Sequence, residues 1–295
     1  MSILDDLIKE FQNDAFDCEK ARGFGQKEWI KNHLKDFDEE DELLLSISLA
    51  HNDMARRAQG HTDGVKKVSL EWWCKYFDDN SPFVISEQGD FDKWHFAACE
   101  AYCEYMKKQT FLKKFDITFG RAQKVLNMTF KYLYTSTYKK AVEKLVPFLH
   151  MTLDGYTLRW YKEQIVAKIK GLKVGDVSEW SKMNREQYED IQKRIRCFLS
   201  NKSKYEYIIN TEETLDNEED EKKTKKELIF SQNVSPYPFL AEFIIWKGEI
   251  IRVNMESLLK GLNGCYKSWK KNSWAINNDI QSELKAKMDN ICPLL

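Results

Sequence analysis

The sequence predicts a mainly α protein of 295 residues, with a larger helical lobe followed by a smaller C-terminal lobe, read as α with α+β as the alternative. Chain breakers are sparse, with 5 Pro and 12 Gly. Apolar residues recur at spacings of three and four, and few runs alternate with period two. One polar run, "TEETLDNEEDEKKTKKE" at 211–227, holds a single aliphatic residue, Leu215, and cannot bury enough surface to order itself. The expected division is therefore 1–210 as a helical main lobe with a sub-boundary near 60–90, 211–227 as a charged linker or loop, and 228–295 as the smaller lobe.

The first element is a short docking helix in "SILDDLIKEF", with Ser2 as cap and Leu4, Leu7, Ile8 and Phe11 on one face. "DEEDELLLSISLAHNDMARRA" follows, with acids in its first turn and Arg56 and Arg57 in its last, the order that complements a helix dipole. Between Gly60 and Gly89, Ser69 is placed to cap a short helix carrying Trp72, Trp73 and Tyr76, before a break at Asp79-Asn80-Ser81-Pro82. The tandem tryptophans read as core anchors, with an exposed interface anchor as the second reading. A further amphipathic helix spans Asp90 to Gln109.

"FGRAQKVLNMTFKYLY", residues 119 to 134, puts Ala122, Val125, Leu126, Thr129, Phe130 and Leu133 on one side of a helix. Arg121, Lys124, Asn127 and Lys131 fall on another, and such a basic stripe reads as a solvated or partner-facing side. In "PFLHMTLDGYTLRWYKE", Asp154 sits where it caps a helix carrying Leu158, Trp160 and Tyr161. Asn184 caps the next helix with Gln187 at the reciprocal position, and Tyr188, Ile191, Ile195 and Phe198 form its buried stripe. Past the charged run, Pro238 opens a helix through "FLAEFIIWKGEIIRV", although a hairpin turning at Lys247-Gly248 is the competing reading of 236–252. A last helix spaces Ile276, Ile280, Leu284 and Met288 before the tail "CPLL".

Lys+Arg 46 against Asp+Glu 47 leaves a formal net charge of −1, so the whole molecule has no general attraction for phosphate or acidic membrane. Seven scattered cysteines and an opening without a basic, apolar leader suggest a cytoplasmic protein with free thiols. His95, Cys99 and Cys103 share one helix at successive spacings of four, but a straight helix cannot wrap a tetrahedral metal, so a buried small-residue stripe is preferred and no metal or cofactor is expected. No apolar run is long enough to span a bilayer. Walker loops, dinucleotide fingerprints and internal repeats are absent from the sequence.

Two resemblances bear on function. The order of a Gly-Arg-x-x-Lys helix (Gly120, Arg121, Lys124), a connecting helix and an apolar-Asp-x-x-Thr turn (Leu153, Asp154, Thr157) with Arg159 resembles helix-hairpin-helix DNA glycosylases over about 45 residues. That resemblance implies Lys124 as a nucleophile on the sugar, Asp154 as stabiliser of the resulting cation and Arg121 as a backbone contact. "FDITFGRAQK" lacks the Leu-Pro-Gly-x-Gly hairpin that grips phosphate in that family. Taken whole, with "FGRAQKVLNMTFKYLY" and "SPYPFLAEFIIWKGEII", the chain resembles phage-encoded Gabija inhibitors. This implies a protein without enzymatic activity that self-associates around the bacterial Gabija nuclease and helicase assembly in the host cytoplasm and blocks its DNA binding and cleavage. Arg121, Lys124, Lys131, Trp72 and Trp73 are the candidate partner or DNA contacts, with direct DNA binding the less favoured reading.

Overall fold

Helix α6 (Phe119–Leu133) is the element around which the first part of the chain is built. The computed structural model describes residues 3–16, 22–38, 41–55, 62–109, 117–169, 173, 175, 177–201, 204–214 and 223–272. Contacts divide the chain into two units, one of Met1–Lys204 with Asn233–Trp246 and one of Tyr205–Gln232 with Lys247–Leu295. The fold is mainly helical.

In the first unit, α1 (Ile3–Ala15), α2 (Arg22–His33), α3 (Glu42–Ala55), α4 (Asp63–Asp79) and α5 (Gln88–Lys108) precede α6. α7 (Lys139–Glu143), α8 (Gly155–Gln164) and α9 (Arg185–Asn201) follow. Every residue of α6 except Arg121 and Lys124 is buried. Its main neighbour is α3, where each residue from Leu43 to His51 is buried. A helix apolar on most sides must be surrounded, and α6 is covered by α3, α5, α9 and the turn Trp180–Lys182. Tyr132 also donates its hydroxyl to Asp53 at 2.6 Å, locking α6 to α3. α1 docks through Phe11, which stacks on Tyr132 at 4.9 Å and meets the edge of Phe243 at 5.7 Å.

Several helix starts follow the expected capping chemistry. Asn184 and Gln187 exchange side chain to backbone bonds of 2.9 and 3.1 Å. Asp154 accepts from the amides of Tyr156 and Thr157, and Thr157 returns a bond to the Asp154 amide, a reciprocal capping box. Two expectations need correction. α4 begins six residues before Ser69, capped by Thr62, and Ser69 is instead an interior residue bonded to His51 and Tyr102. In α9, Leu199 rather than Phe198 completes the buried stripe.

The region 236–252 is helical throughout after its first two residues, as part of α10 (Pro238–Asn272), so the hairpin alternative does not form. In the second unit, β1 (Lys204–Thr214) and β2 (Lys223–Asn233) pair as a two-stranded sheet, and α10 supplies the helix. Residues 211–214 and 223–227 of the charged run are thus strand rather than linker, because cross-strand hydrogen bonds can order a segment that buries little apolar surface. The segment 233–246 groups with the first unit instead of the C-terminal lobe. The expected last helix at 275–291, the tail, Ser2, Arg56 and Arg57 lie outside the described residues.

Gly120 is required for space. A Cβ there would lie 1.7 Å from the carbonyl oxygen of Trp180, which is backbone and cannot swing aside. The Gly120 amide simultaneously donates to Met183 at 3.0 Å. Gly120→Ala should therefore lower stability by at least about 2 kcal/mol, the scale of forced overpacking. Gly155→Ala, where nothing lies within 4 Å of the added atom, should change it by less than about 1 kcal/mol. Urea unfolding midpoints of the two variants provide the comparison.

Candidate functional site

The side chains with chemical potential in the first unit converge on one line of α6. Gln123, Asn127 and Lys131 recur every fourth residue and are all buried. The basic stripe read from the sequence is therefore split. Arg121 and Lys124 stay at the margin, while Asn127 and Lys131 point inward to polar partners. A solvated reading fails for those two because distant segments supply the groups that satisfy them.

Asn127 is the middle of a continuous hydrogen-bonded chain. Its Oδ1 lies 2.8 Å from His95 Nε2, and its Nδ2 donates to the Tyr188 hydroxyl at 2.9 Å and to Gln123 Oε1 at 3.0 Å. Tyr188 meets His150 Nδ1 at 2.9 Å, and His150 Nε2 meets Asp92 Oδ1 at 2.8 Å. With both imidazoles neutral, only one set of protons satisfies every contact. His150 carries its proton on Nε2 for the carboxylate, so Nδ1 accepts from Tyr188; Tyr188 then accepts from Asn127, whose carbonyl takes the Nε2 proton of His95. His95 Nδ1 is left to accept from the Cys99 thiol, 3.9 Å away. Both histidines are neutral in this assignment.

The electrostatics agree. Burial, followed by repulsion from His150, holds His95 well below the ordinary histidine value. Burial likewise pushes His150 down to about 4, outweighing its bond to Asp92. Burial opposes ionisation of Asp92, but bonds from His150 and Arg196 overcome it and hold its carboxyl well below the usual range. Arg196 grips that carboxylate with two bonds of 3.2 and 3.0 Å, and Gln88 adds a third donor at 2.8 Å. Asp92 and Arg196 are the end of the chain nearest water, with side chains 22% and 21% exposed. His150 is a satisfied buried histidine, and Cys99 and Cys103 are buried in α5.

Lys131 belongs to a second buried group. Its Nζ lies 2.8 Å from Glu242 Oε1, both side chains being 2% exposed, and Glu242 Oε2 accepts from the Thr152 amide at 2.7 Å. The ammonium also lies 4.5 Å from the Phe243 ring centre and 5.4 Å from those of Phe11 and Trp246. Burial pushes the Glu242 carboxyl up against the pull of Lys131.

Lys124 and Asp154 do meet, at 3.8 Å, with side chains 12% and 13% exposed, and Lys124 lies 4.7 Å from the Trp180 ring centre. Oδ1 of Asp154 is occupied by the α8 cap, which leaves Oδ2 facing Lys124. Arg121 is partly exposed on the same margin. Trp72 is partly exposed, whereas Trp73 is core at 1% exposure. The Asp92–His150–Tyr188 part of the network was not legible as a site, since its members come from three separated segments. Its only sequence signal is the presence of Gln123 and Asn127 on an otherwise core-forming helix.

Stability should fall as pH drops from 6.5 to about 4, because the unfolded histidine takes a proton in that window while folded His150 resists it. Asp92 acts in the same direction at lower pH, and the His150 contribution alone is on the order of 3 kcal/mol. Chemical denaturation at a series of pH values measures the loss. Tyr188→Phe, which strands His150 Nδ1 and one Asn127 proton, should cost about 1–3 kcal/mol.

Lys131→Met leaves Glu242 buried and uncompensated, at a cost of about 3–5 kcal/mol. The double variant Lys131→Met/Glu242→Leu should recover much of that in the same assay. The loss in the single variant should shrink at pH 5, where Glu242, whose carboxyl burial already raises, takes a proton more readily in the folded state.

Compared with protein-family models, with curated proteins and with solved structures, the chain matches none of the three.

Proposed function

We propose that the protein works by binding rather than by catalysis, as a phage-encoded inhibitor that self-associates and encloses the bacterial Gabija nuclease and helicase complex, denying it DNA. What supports this reading over a glycosylase is the structural employment of the residues that a glycosylase would need. The Gly120 amide bonds to Met183, so it is not free to grip a phosphate. Asp154 caps α8 through Oδ1, and Lys124 lies between Asp154 and the Trp180 ring. His95 and His150 are buried, neutral and already bonded to Asn127, Tyr188 and Asp92. Partly exposed aromatic residues remain as the groups suited to a partner.

The binding site of such an inhibitor lies in the host cytoplasm, where its target resides, and no helix among the described residues is long and apolar enough to cross a membrane. The glycosylase reading retains one observation, the approach of Lys124 and Asp154 to 3.8 Å, and stands as the alternative.

Light scattering after size exclusion, on this protein alone and mixed with purified Gabija complex, tests the proposal. A defined high-mass species and loss of DNA cleavage by the complex are expected; unchanged elution with full cleavage would overturn the inhibitor reading. Asp154→Asn keeps a competent cap and should leave inhibition intact, while Asp154→Ala should cost about 0.5–2 kcal/mol of stability. Abasic sites formed in modified DNA by the wild type and not by Asp154→Asn would establish the enzyme instead.

A further inference from the structure

Two buried lysines of the first unit each lie beside an aromatic ring supplied by one of the first two helices. Lys131 of α6, 2% exposed, is 5.4 Å from the ring centre of Phe11 in α1. Lys66 of α4, 3% exposed, is 3.9 Å from the ring centre of Trp29 in α2. Each helix thus lays one ring on one ammonium, a contact that attracts through the ring's quadrupole. Around Trp29 the attachment is otherwise polar. Its Nε1 donates to Asp63 at 2.8 Å, and Gln26 Oε1 accepts from Lys66 and, at 2.9 Å, from Ser48 of α3. His33, one turn on, stacks on the Trp29 ring at 4.5 Å with planes 9° apart.

Apolar burial adds little to these contacts. Leu4, Leu7, Ile8 and Phe11, the apolar face of α1, are only half-buried, and Ala15 alone in that helix is buried. From Gly25 to His33 in α2, Ile30 alone is buried, whereas every residue of α3 from Leu43 to His51 is. α1 packs chiefly on α2, and α2 on α3. A segment attached in this way opens at a free energy below that of global unfolding. The Lys66 ammonium is met by neutral groups, an amide oxygen and an indole ring, and burial outweighs the attraction of Asp63 to lower the amine to about 8. Its closed position therefore carries a desolvation cost that water relieves on opening.

We propose that α1 and α2 form a lid that opens as one unit from α3, α4 and α6, with Phe11 on Lys131 and Trp29 on Lys66 as its two clasps. Opening uncovers Tyr132, Ser48 and Lys66, which the closed fold conceals. The body keeps its own bonds when the lid leaves, because Tyr132 remains bonded to Asp53 of α3 and Lys131 remains paired with Glu242 of α10. This inference does not depend on the inhibitor function proposed above.

Hydrogen exchange of the full chain at neutral pH, read by mass spectrometry, tests the lid. Amides of α1 and α2 should exchange together, roughly a hundredfold faster than those of α3 and α6. Trp29→Leu removes the α2 clasp and keeps an apolar side chain, and should speed exchange in α1 as well as α2 by roughly tenfold while α5 and α9 keep wild-type rates. Phe11→Leu removes the α1 clasp and should raise pulse acetylation of Lys66, which lies under the other helix, by roughly the same factor. Should Trp29→Leu loosen the whole first unit, Phe11→Leu carries the test. Exchange of α1 and α2 as slow as that of α3 and α6 would overturn the lid. Acceleration confined to the mutated helix, or unchanged labelling of Lys66 in Phe11→Leu, would overturn the single opening unit.

Discussion

The buried pair between Lys131 and Glu242 joins residues 111 positions apart and ties the start of α10 to the last turn of α6. Removing both charges from water carries a cost of several kcal/mol per ion, so the pair survives only because its remaining valences are met. The Thr152 amide takes the second carboxylate oxygen, and three aromatic rings surround the ammonium. A hydrophobic contact would tolerate a shift of α10 along its axis, whereas this pair fits at one register. α10 continues past Trp246 into residues grouped with the second unit.

The other polar line through α6 has the same character but a different chemistry. Every bond from Cys99 to Asp92 runs in one direction, and reversing any proton would set two donors or two acceptors against each other. Such a network specifies the packing of α5, α6, α9 and the segment around His150 more sharply than apolar contact alone. It also keeps both imidazoles neutral, and their nitrogens are already used within the fold. An imidazole in that condition orients its neighbours; it does not have a nitrogen to offer a substrate.

Local rules carried the sequence reading a long way. Helix caps at Asp154 and Asn184 were legible because a cap is decided by residues three positions apart. The helical nature of 238–252 followed from Pro238 and an apolar run. Ser69 misled because its type suits a cap, and only the positions of His51 and Tyr102 reveal that its hydroxyl is used inside the core. Lys131 misled for a related reason. A basic residue on an amphipathic pattern reads as exposed, and the carboxylate that overturns that reading lies in another helix. The strands failed differently: their charged parts at 211–214 and 223–227 are poor in apolar residues and give no periodicity to detect, and β1 and β2 are ordered by hydrogen bonds to each other.

The division of labour within "EWWCKYF" links these observations to binding. Trp73 and Tyr102 form a layer that folding alone must fix, and Trp72 and Tyr76 lie over it with little freedom left to lose. A surface prepared in this way gains affinity by avoiding the entropic cost of ordering side chains at the moment of contact. That advantage appears chiefly in slow dissociation, because association is limited by the orientation of two large bodies. For the inhibitor proposed above, which would have to hold a nuclease away from DNA, residence time would be the quantity that matters. Stacked rings backed by the buried Trp73 and the hydrogen-bonded Tyr102 would offer such pre-ordering without adding net charge.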